Sequence, residues 1–296
     1  MPLPFPISIK EFLVTILEVA LFSTTSLPTM AESFQTHPDV IEILIVHDIS
    51  TQKASQLAET FVALAPKFDL IIVVGPCCDS SNTITPENVA AAEGDMASSI
   101  AQLENITCRV VYLPGENDPP NTLMEQLHLT PNSVNIYARR LPLRTGLFIT
   151  GFTETGENLD TNKVPDDFDR SAESDDELEN VEVKSGISSV KAITEILNGE
   201  DQSESIDSGI FLLNYKFIHT LNHFLFHMGE EIAASKVNLV IVAPKTEDAL
   251  RLPSTFGKLQ IVVPKSLREG GNYCTVRLKK TEDNSWQPVL VEHHVL

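Results

Sequence analysis

Three apolar runs, each closing on polar residues and separated by stretches with helical spacing, constrain this chain more than any other feature. ILIVHDIS (Ile43 to Ser50) closes on Asp48. FDLIIVVGPCCD (Phe68 to Asp79) closes on Gly75 and Asp79, and CRVVYLPGEND (Cys108 to Asp118) closes on Gly115, Glu116, Asn117 and Asp118. Short continuous apolar runs are how strands buried on both faces read, and such strands belong to parallel sheets. Between them, Thr51 to Ala65 sets Ala54, Leu57, Ala58, Phe61 and Leu64 on one helical face. Pro86 to Leu103 is Ala-rich and predicts a second helix, with Thr85 as N-cap and Pro86 at the first helical position. The order from Ile41 to Asp118 is therefore βαβαβ. Ligands of such sheets sit in the crevice outside the carboxyl ends of the strands, so the three polar strand ends make one candidate site.

Beyond Asp118 the pattern changes. Val134 to Phe152 reads as two antiparallel strands around a turn near Pro142 to Thr145. Glu154 to Glu182 is almost devoid of apolar residues and reads as a mobile loop. Residues 154–208 hold 17 acids and 4 bases, so −13 of the chain's net −20 lies in this one acidic insert. Within it, Ser174-Asp175-Asp176-Glu177 suits an acid-directed kinase, and Val183 to Leu197 reads as a helix. Order returns with a strand at Gly209 to Tyr215 and a helix over Ile218 to Ser235. Strands follow at Val237 to Pro244, Leu259 to Pro264, Asn272 to Leu278 and Pro288 to Leu296. These elements predict two sheets packed face to face with helices outside, an α/β sandwich.

Composition narrows the function. A pI near 4.7 argues against nucleic-acid binding through a basic face, because neutralising phosphates needs Lys and Arg, while the mildly acidic remainder outside the insert leaves room for a local basic patch. The four cysteines, Cys77, Cys78, Cys108 and Cys274, form no C-x-x-C pair and read as buried reduced thiols of a cytoplasmic protein. Residues 1–40 read as an N-terminal extension. Its apolar stretch Leu13 to Phe22 is interrupted by Glu18 and is shorter than the roughly 20 residues a membrane span needs. Met30-Ala31-Glu32 offers a second start. The sequon at Asn105 abuts an expected core strand and carries little weight. HDISTQK has no glycine, which excludes a Rossmann phosphate turn, and no G-x-S-x-G elbow occurs.

The order of elements and the punctuation at strand ends resemble the calcineurin-like metallophosphoesterase superfamily, over residues 41–295 apart from the insert at 154–208. YLPGEND stands where that family has Pro-Gly before Asn-His-Asp, and VVPKSLREGGNY (Val262 to Tyr273) where it has Pro-Gly-Ser before its closing strand. The resemblance implies a four-layer αββα sandwich and a two-metal site built from five loops. It also implies where the chemistry is missing. Asp48 stands in the first motif, but Ser50 occupies the His position. Gly75 and Asp79 remain in the second, while Pro76 takes the place of the bridging aspartate. Glu116 replaces the Asn ligand, Asn117 replaces the His that would protonate the leaving group, and Asp118, which would orient that His, survives. Asn214 or Tyr215 stands where a lone His is expected, and Pro244 and Thr246 fill both ligand positions of the last motif.

Two metals clamp the attacking and leaving oxygens only when an anion bridges them, and proline offers no ligand. Asn117 cannot donate a proton at neutral pH, which forgoes general-acid help of about 10²–10⁴-fold. The expectation is a catalytically inactive binding or scaffold module that needs no cofactor and takes a protein partner. The alternative is a metal-dependent phosphoester hydrolase whose rebuilt site uses Asp48, Asp79, Glu116 and Asp118 as oxygen ligands for a divalent ion (Mg, Mn, Fe or Zn). Lys245 adds a positive charge near the former metal positions and His47 is a further candidate for a rebuilt site. His219, His223 and His227, four residues apart, read as a polar helix stripe, and of His293 and His294 one should point outward from an alternating strand.

Overall fold

The computed structural model describes residues 38–64, 68–78, 84–85, 87–107, 109–115, 118–119, 128–144, 146–153, 197, 208–214, 235–243 and 253–296. The first unit follows the expected order: β1 (Val40–His47), α1 (Thr51–Leu64), β2 (Leu70–Val74), α2 (Val89–Glu104) and β3 (Val110–Leu113). β2 and β3 are buried along their whole length, as continuous apolar runs demand. β4 (Ser133–Asn135) extends this parallel set. β11 (Asn272–Lys280) and β12 (Trp286–Val295) add to its other side antiparallel, giving the order β12-β11-β1-β2-β3-β4. The second sheet runs β5-β6-β7-β8-β10-β9, with β5 (Arg140–Arg144), β6 (Leu147–Thr153), β7 (Ser208–Asn214), β8 (Val237–Ala243), β9 (Thr255–Phe256) and β10 (Leu259–Val262).

Alternation places the core. Ile41, Ile43 and Ile45 of β1 point into a cluster that also holds Ile149, Ile210, Leu212 and Ile241 of the second sheet. The residues between them, Leu44 and Val46, point the other way onto Leu57 and Phe61 of α1 and Met96 and Ile100 of α2. The two sheets therefore pack face to face, with α1 and α2 on the outside of the first. The outer face of the second sheet carries its own buried cluster, with Phe148, Phe211, Val240 and Val242. This is a mixed α/β architecture of two multistranded sheets, consistent with the metallophosphoesterase-like fold. Of the helix expected over 218–235 all but Ser235, of the acidic insert at 154–208 all but Leu197 and Ser208, and residues 1–37 lie outside the described residues.

Two boundary expectations fail for identifiable reasons. α2 begins at Val89, with Asn88 at its N-cap, not at Pro86. The Thr85 N–H donates to Asn88 Oδ1 at 2.7 Å, and the Thr85 carbonyl accepts from Asn88 and Val89, so these residues form a turn ahead of the helix. Val134 to Phe152 holds three strands, not two. β4 belongs to the first sheet, and a bend with Ala138 at φ 51° carries the chain across to β5 in the second. β5 ends at Arg144 and β6 begins at Leu147, so Pro142 lies within β5. That strand is the edge of its sheet and has an irregular register at Pro142/Arg144, where a missing N–H costs little.

Candidate functional site

The carboxyl ends of β2, β3, β6 and β7 converge. Gly75 follows β2 and Gly115 follows β3, and the two backbones approach so closely that a Cβ on Gly75 would lie 2.1 Å from the Gly115 nitrogen. A Cβ on Gly115 would lie 3.0 Å from Pro76 and 3.1 Å from the Asn214 side-chain nitrogen at the end of β7. Thr153, ending β6, donates its hydroxyl to the Pro114 carbonyl at 2.5 Å. The strand-end glycines are thus there for close approach of backbone.

Asp118 ties this junction together. It is buried, and its carboxylate accepts the Cys77 N–H at 2.8 and 2.9 Å, the Cys78 N–H at 3.1 Å and the Gly115 N–H at 2.6 Å. Burial raises its pKa from the ordinary aspartate value while these donors pull it back down. Burial, and then the charge of Asp118, pushes the Cys77 thiol well above its usual range. Tyr112 is raised as well, chiefly by burial.

Asp48 lies just past β1, with φ 51°, a left-handed conformation that aspartate tolerates better than most residues. Both of its carboxylate oxygens are engaged. Ser266 donates its hydroxyl to Oδ2 at 2.7 Å, and Arg268 Nε lies 3.0 Å from Oδ1. The Arg268 backbone N–H also donates to the Asp48 carbonyl at 2.9 Å. The same guanidinium reaches the carbonyls of Ile49, at 2.7 Å, and Cys78. Ser266 is the N-cap of α3 (Leu267–Gly270), accepting the Glu269 N–H at 2.9 Å, so the short helix holds both donors in place.

The other expected site residues fall as follows. Ser50 immediately precedes α1, with its hydroxyl accepting from the Lys53 N–H at 3.3 Å and its carbonyl from Ala54 at 2.8 Å. Pro76 follows Gly75 in a cis peptide, and its carbonyl accepts the Ile49 N–H at 3.1 Å. His47 is buried and donates Nδ1–H to the Val74 carbonyl at 3.0 Å. Asp79, Glu116, Asn117, Tyr215, Pro244, Lys245, Thr246, His219, His223 and His227 lie outside the described residues. The structure brings Asp48, Pro76 and Asp118 to one end of the molecule, linked through the loop at Cys77 and Cys78. Sequence reasoning missed Ser266 and Arg268. Their signal, a serine N-cap and a Gly-Gly stop around LREG, is present in the sequence. Among the described residues no group of three or more His, Cys, Asp and Glu is placed to hold a metal ion. Asp48 is paired with Arg268 and hydrogen-bonded by Ser266, and Pro76 carries no side-chain ligand.

No family model matches the chain, and no curated protein matches it by sequence. Solved structures do match it. A candidate 5'-nucleotidase from Staphylococcus aureus, solved in complex with alpha-ketoglutarate, aligns at 10% identity over 86% of this chain and 54% of its own, with a TM-score of 0.50. A second solved chain aligns at 10% identity over 86% of this chain and 99% of its own, with a TM-score of 0.52. TT1561 of Thermus thermophilus aligns at 15% identity over 86% of this chain and 99% of its own, with a TM-score of 0.45. The chain has a phosphoesterase-type fold. At these identities the likeness is one of fold. Among the described residues, no helix is long and apolar enough to cross a membrane.

Proposed function

We propose that this protein is a non-catalytic member of the phosphoesterase-type fold, acting as a binding or scaffold module for a protein partner. The observation that carries this reading is the engagement of Asp48. Asp48 is already neutralised by a guanidinium, with Arg268 Nε 3.0 Å from Oδ1, and Ser266 donates to Oδ2 at 2.7 Å. The guanidinium brings a permanent positive charge to the place where a divalent ion would need that carboxylate. Pro76 offers no anion in its stead, and Asp118 is fully occupied by backbone donors. Loss of first ligands on this scale exceeds the 10–100-fold cost of altering even the residues behind them.

The experiment is metal analysis of the purified protein, beside Mn²⁺- and Mg²⁺-dependent hydrolysis of an aryl phosphate by wild type, Asp48→Ala and Glu116→Ala. The expected result is no stoichiometric metal, no turnover above background and no metal-induced thermal shift. Wild-type hydrolysis that disappears in both variants would overturn the reading in favour of an oxygen-ligand site.

A further inference from the structure

Away from the Asp48 cleft, β10 and the residues after it meet the ends of β11 and β12 around an open cavity of about 500 Å³. That volume is in the range of small-molecule sites, about 300–1,000 Å³. Its polar lining is unusual for a chain of net charge −20. Lys265, His293 and His294 line it together with Ser254, Asn272 and Tyr273, and no described lining residue is a carboxylate. The remaining wall is aliphatic, with Ile261, Val263 and Val295.

Cys274 is buried, and burial raises its thiol to about 12, so it keeps its proton at neutral pH. Its Sγ lies 3.0 Å from His293 Nδ1. That contact fixes the His293 ring against the strand beside the cavity. Lys265 is exposed and forms no ion pair among the described residues. His294 is stacked on Tyr273 with ring centroids 4.9 Å apart, and its Nε2 is shared with the Thr275 hydroxyl at 2.9 Å and, more distantly, with Glu292 at 4.0 Å. Burial first, then Lys265 and His294, lowers the His293 pKa, which places the Lys265 charge within reach of the ring.

We infer that this cavity is a binding site for a small organic phosphate monoester, with Lys265 and the His293 imidazole on the phosphate and the aliphatic wall against its organic part. A tetrahedral phosphate offers three acceptor oxygens to donors arriving from different directions, and Ser254 and Tyr273 also line the cavity. A planar carboxylate offers fewer directions. Asp48 and Asp118 do not line this cavity, although Lys265 directly precedes Ser266, the hydroxyl partner of Asp48.

The test is an NMR titration of the full chain with inorganic phosphate, phenyl phosphate and acetate, read at the backbone amides of Lys265, Asn272, His294 and Val295. Phenyl phosphate should shift these amides saturably and bind more tightly than inorganic phosphate, and acetate should leave them in place. Lys265→Glu should weaken phenyl phosphate by at least about tenfold, through like-charge repulsion. His293→Ala should weaken it while leaving the dispersed spectrum of a folded protein. Shifts that persist unchanged in Lys265→Glu, equal binding of acetate, or no saturable shift at these amides would each overturn the assignment.

Discussion

Arg268 Nε sits 3.0 Å from Asp48 Oδ1, and the same guanidinium hydrogen-bonds the carbonyls of Ile49 and Cys78. One side chain from α3 thus fastens the loop after β1 to the loop after β2. Both side chains are largely shielded, at 27% and 17% exposure, so the pair is not the screened surface kind that contributes almost nothing. Arg268→Ala should cost about 1–3 kcal/mol, since it removes charged hydrogen bonds and strands two carbonyls. Arg268→Lys should recover only part of this, because an ammonium cannot span three acceptors as the planar fork does. Urea denaturation midpoints of the three proteins check both statements.

Two glycines give opposite expectations. Gly75→Ala would drive a methyl to 2.1 Å from the Gly115 nitrogen, which is backbone and cannot swing aside. Such overpacking costs at least about 1–3 kcal/mol. Gly94 lies within α2, and a Cβ there meets nothing within 4 Å. Gly94→Ala should therefore stabilise the protein by about 0.5–1 kcal/mol through helix propensity alone. Thermal unfolding should place the two variants on opposite sides of wild type.

The strand ends were legible in the sequence because continuous apolar runs and terminal glycines leave a one-dimensional trace. What they are for was less so. Gly75 and Gly115 read as parts of a ligand loop, yet a Cβ on Gly75 would meet the Gly115 backbone and one on Gly115 would meet Pro76. Asp48 was legible as a site residue, yet its partner Arg268 was not, since an ion pair between distant segments has no periodicity to betray it. The transfer of the chain from the first sheet to the second at Ala138 was equally hidden, because a strand's residues do not say which sheet they join. Sidedness was easier: His293 and His294 do lie on opposite faces, beside Cys274 and Thr275 respectively.

Asp118 is the acceptor for three backbone amides and has no side-chain cation among its described hydrogen-bond donors. Asp118→Asn is nearly isosteric but turns an acceptor into a donor facing N–H groups. Leaving charged-acceptor bonds unmade in a buried place should cost about 3 kcal/mol. The pH dependence has a definite sign. Because the folded-state pKa is raised, the folded chain holds this proton more tightly than the unfolded one. This group's contribution therefore grows as pH falls from neutral toward the ordinary aspartate value near 3.9, and is lost as pH rises through the folded pKa. Comparing unfolding free energies of wild type and Asp118→Asn between about pH 4 and 7 isolates that slope, which the variant should lack.

Cys77, Cys78 and Cys274 are free and buried, and burial raises the thiols of Cys77 and Cys274. A thiol reacts as its thiolate, so neither depressed pKa nor access favours attack here. Brief treatment of the native protein with an alkylating reagent, followed by peptide mass spectrometry, should find these three cysteines unmodified, and addition of denaturant should expose all three.

His293 supplies the pH test for the second site. Its lowered pKa means that the folded chain binds this proton less tightly than the unfolded one. The stability it contributes is present above the unfolded histidine value of about 6.5 and is lost as pH falls through the folded value. Lys265 is the largest charge among the causes, second only to burial. Lys265→Ala should therefore move the His293 titration upward toward the ordinary histidine value, and a bound phosphate should move it further in the same direction by supplying the missing counter-charge. Proton NMR of the His293 ring, followed across pH 5 to 8 as about the span over which histidine titrates, reads both shifts. A His293 pKa that ignores Lys265→Ala would mean that burial alone sets it, and that the lysine does not face the ring.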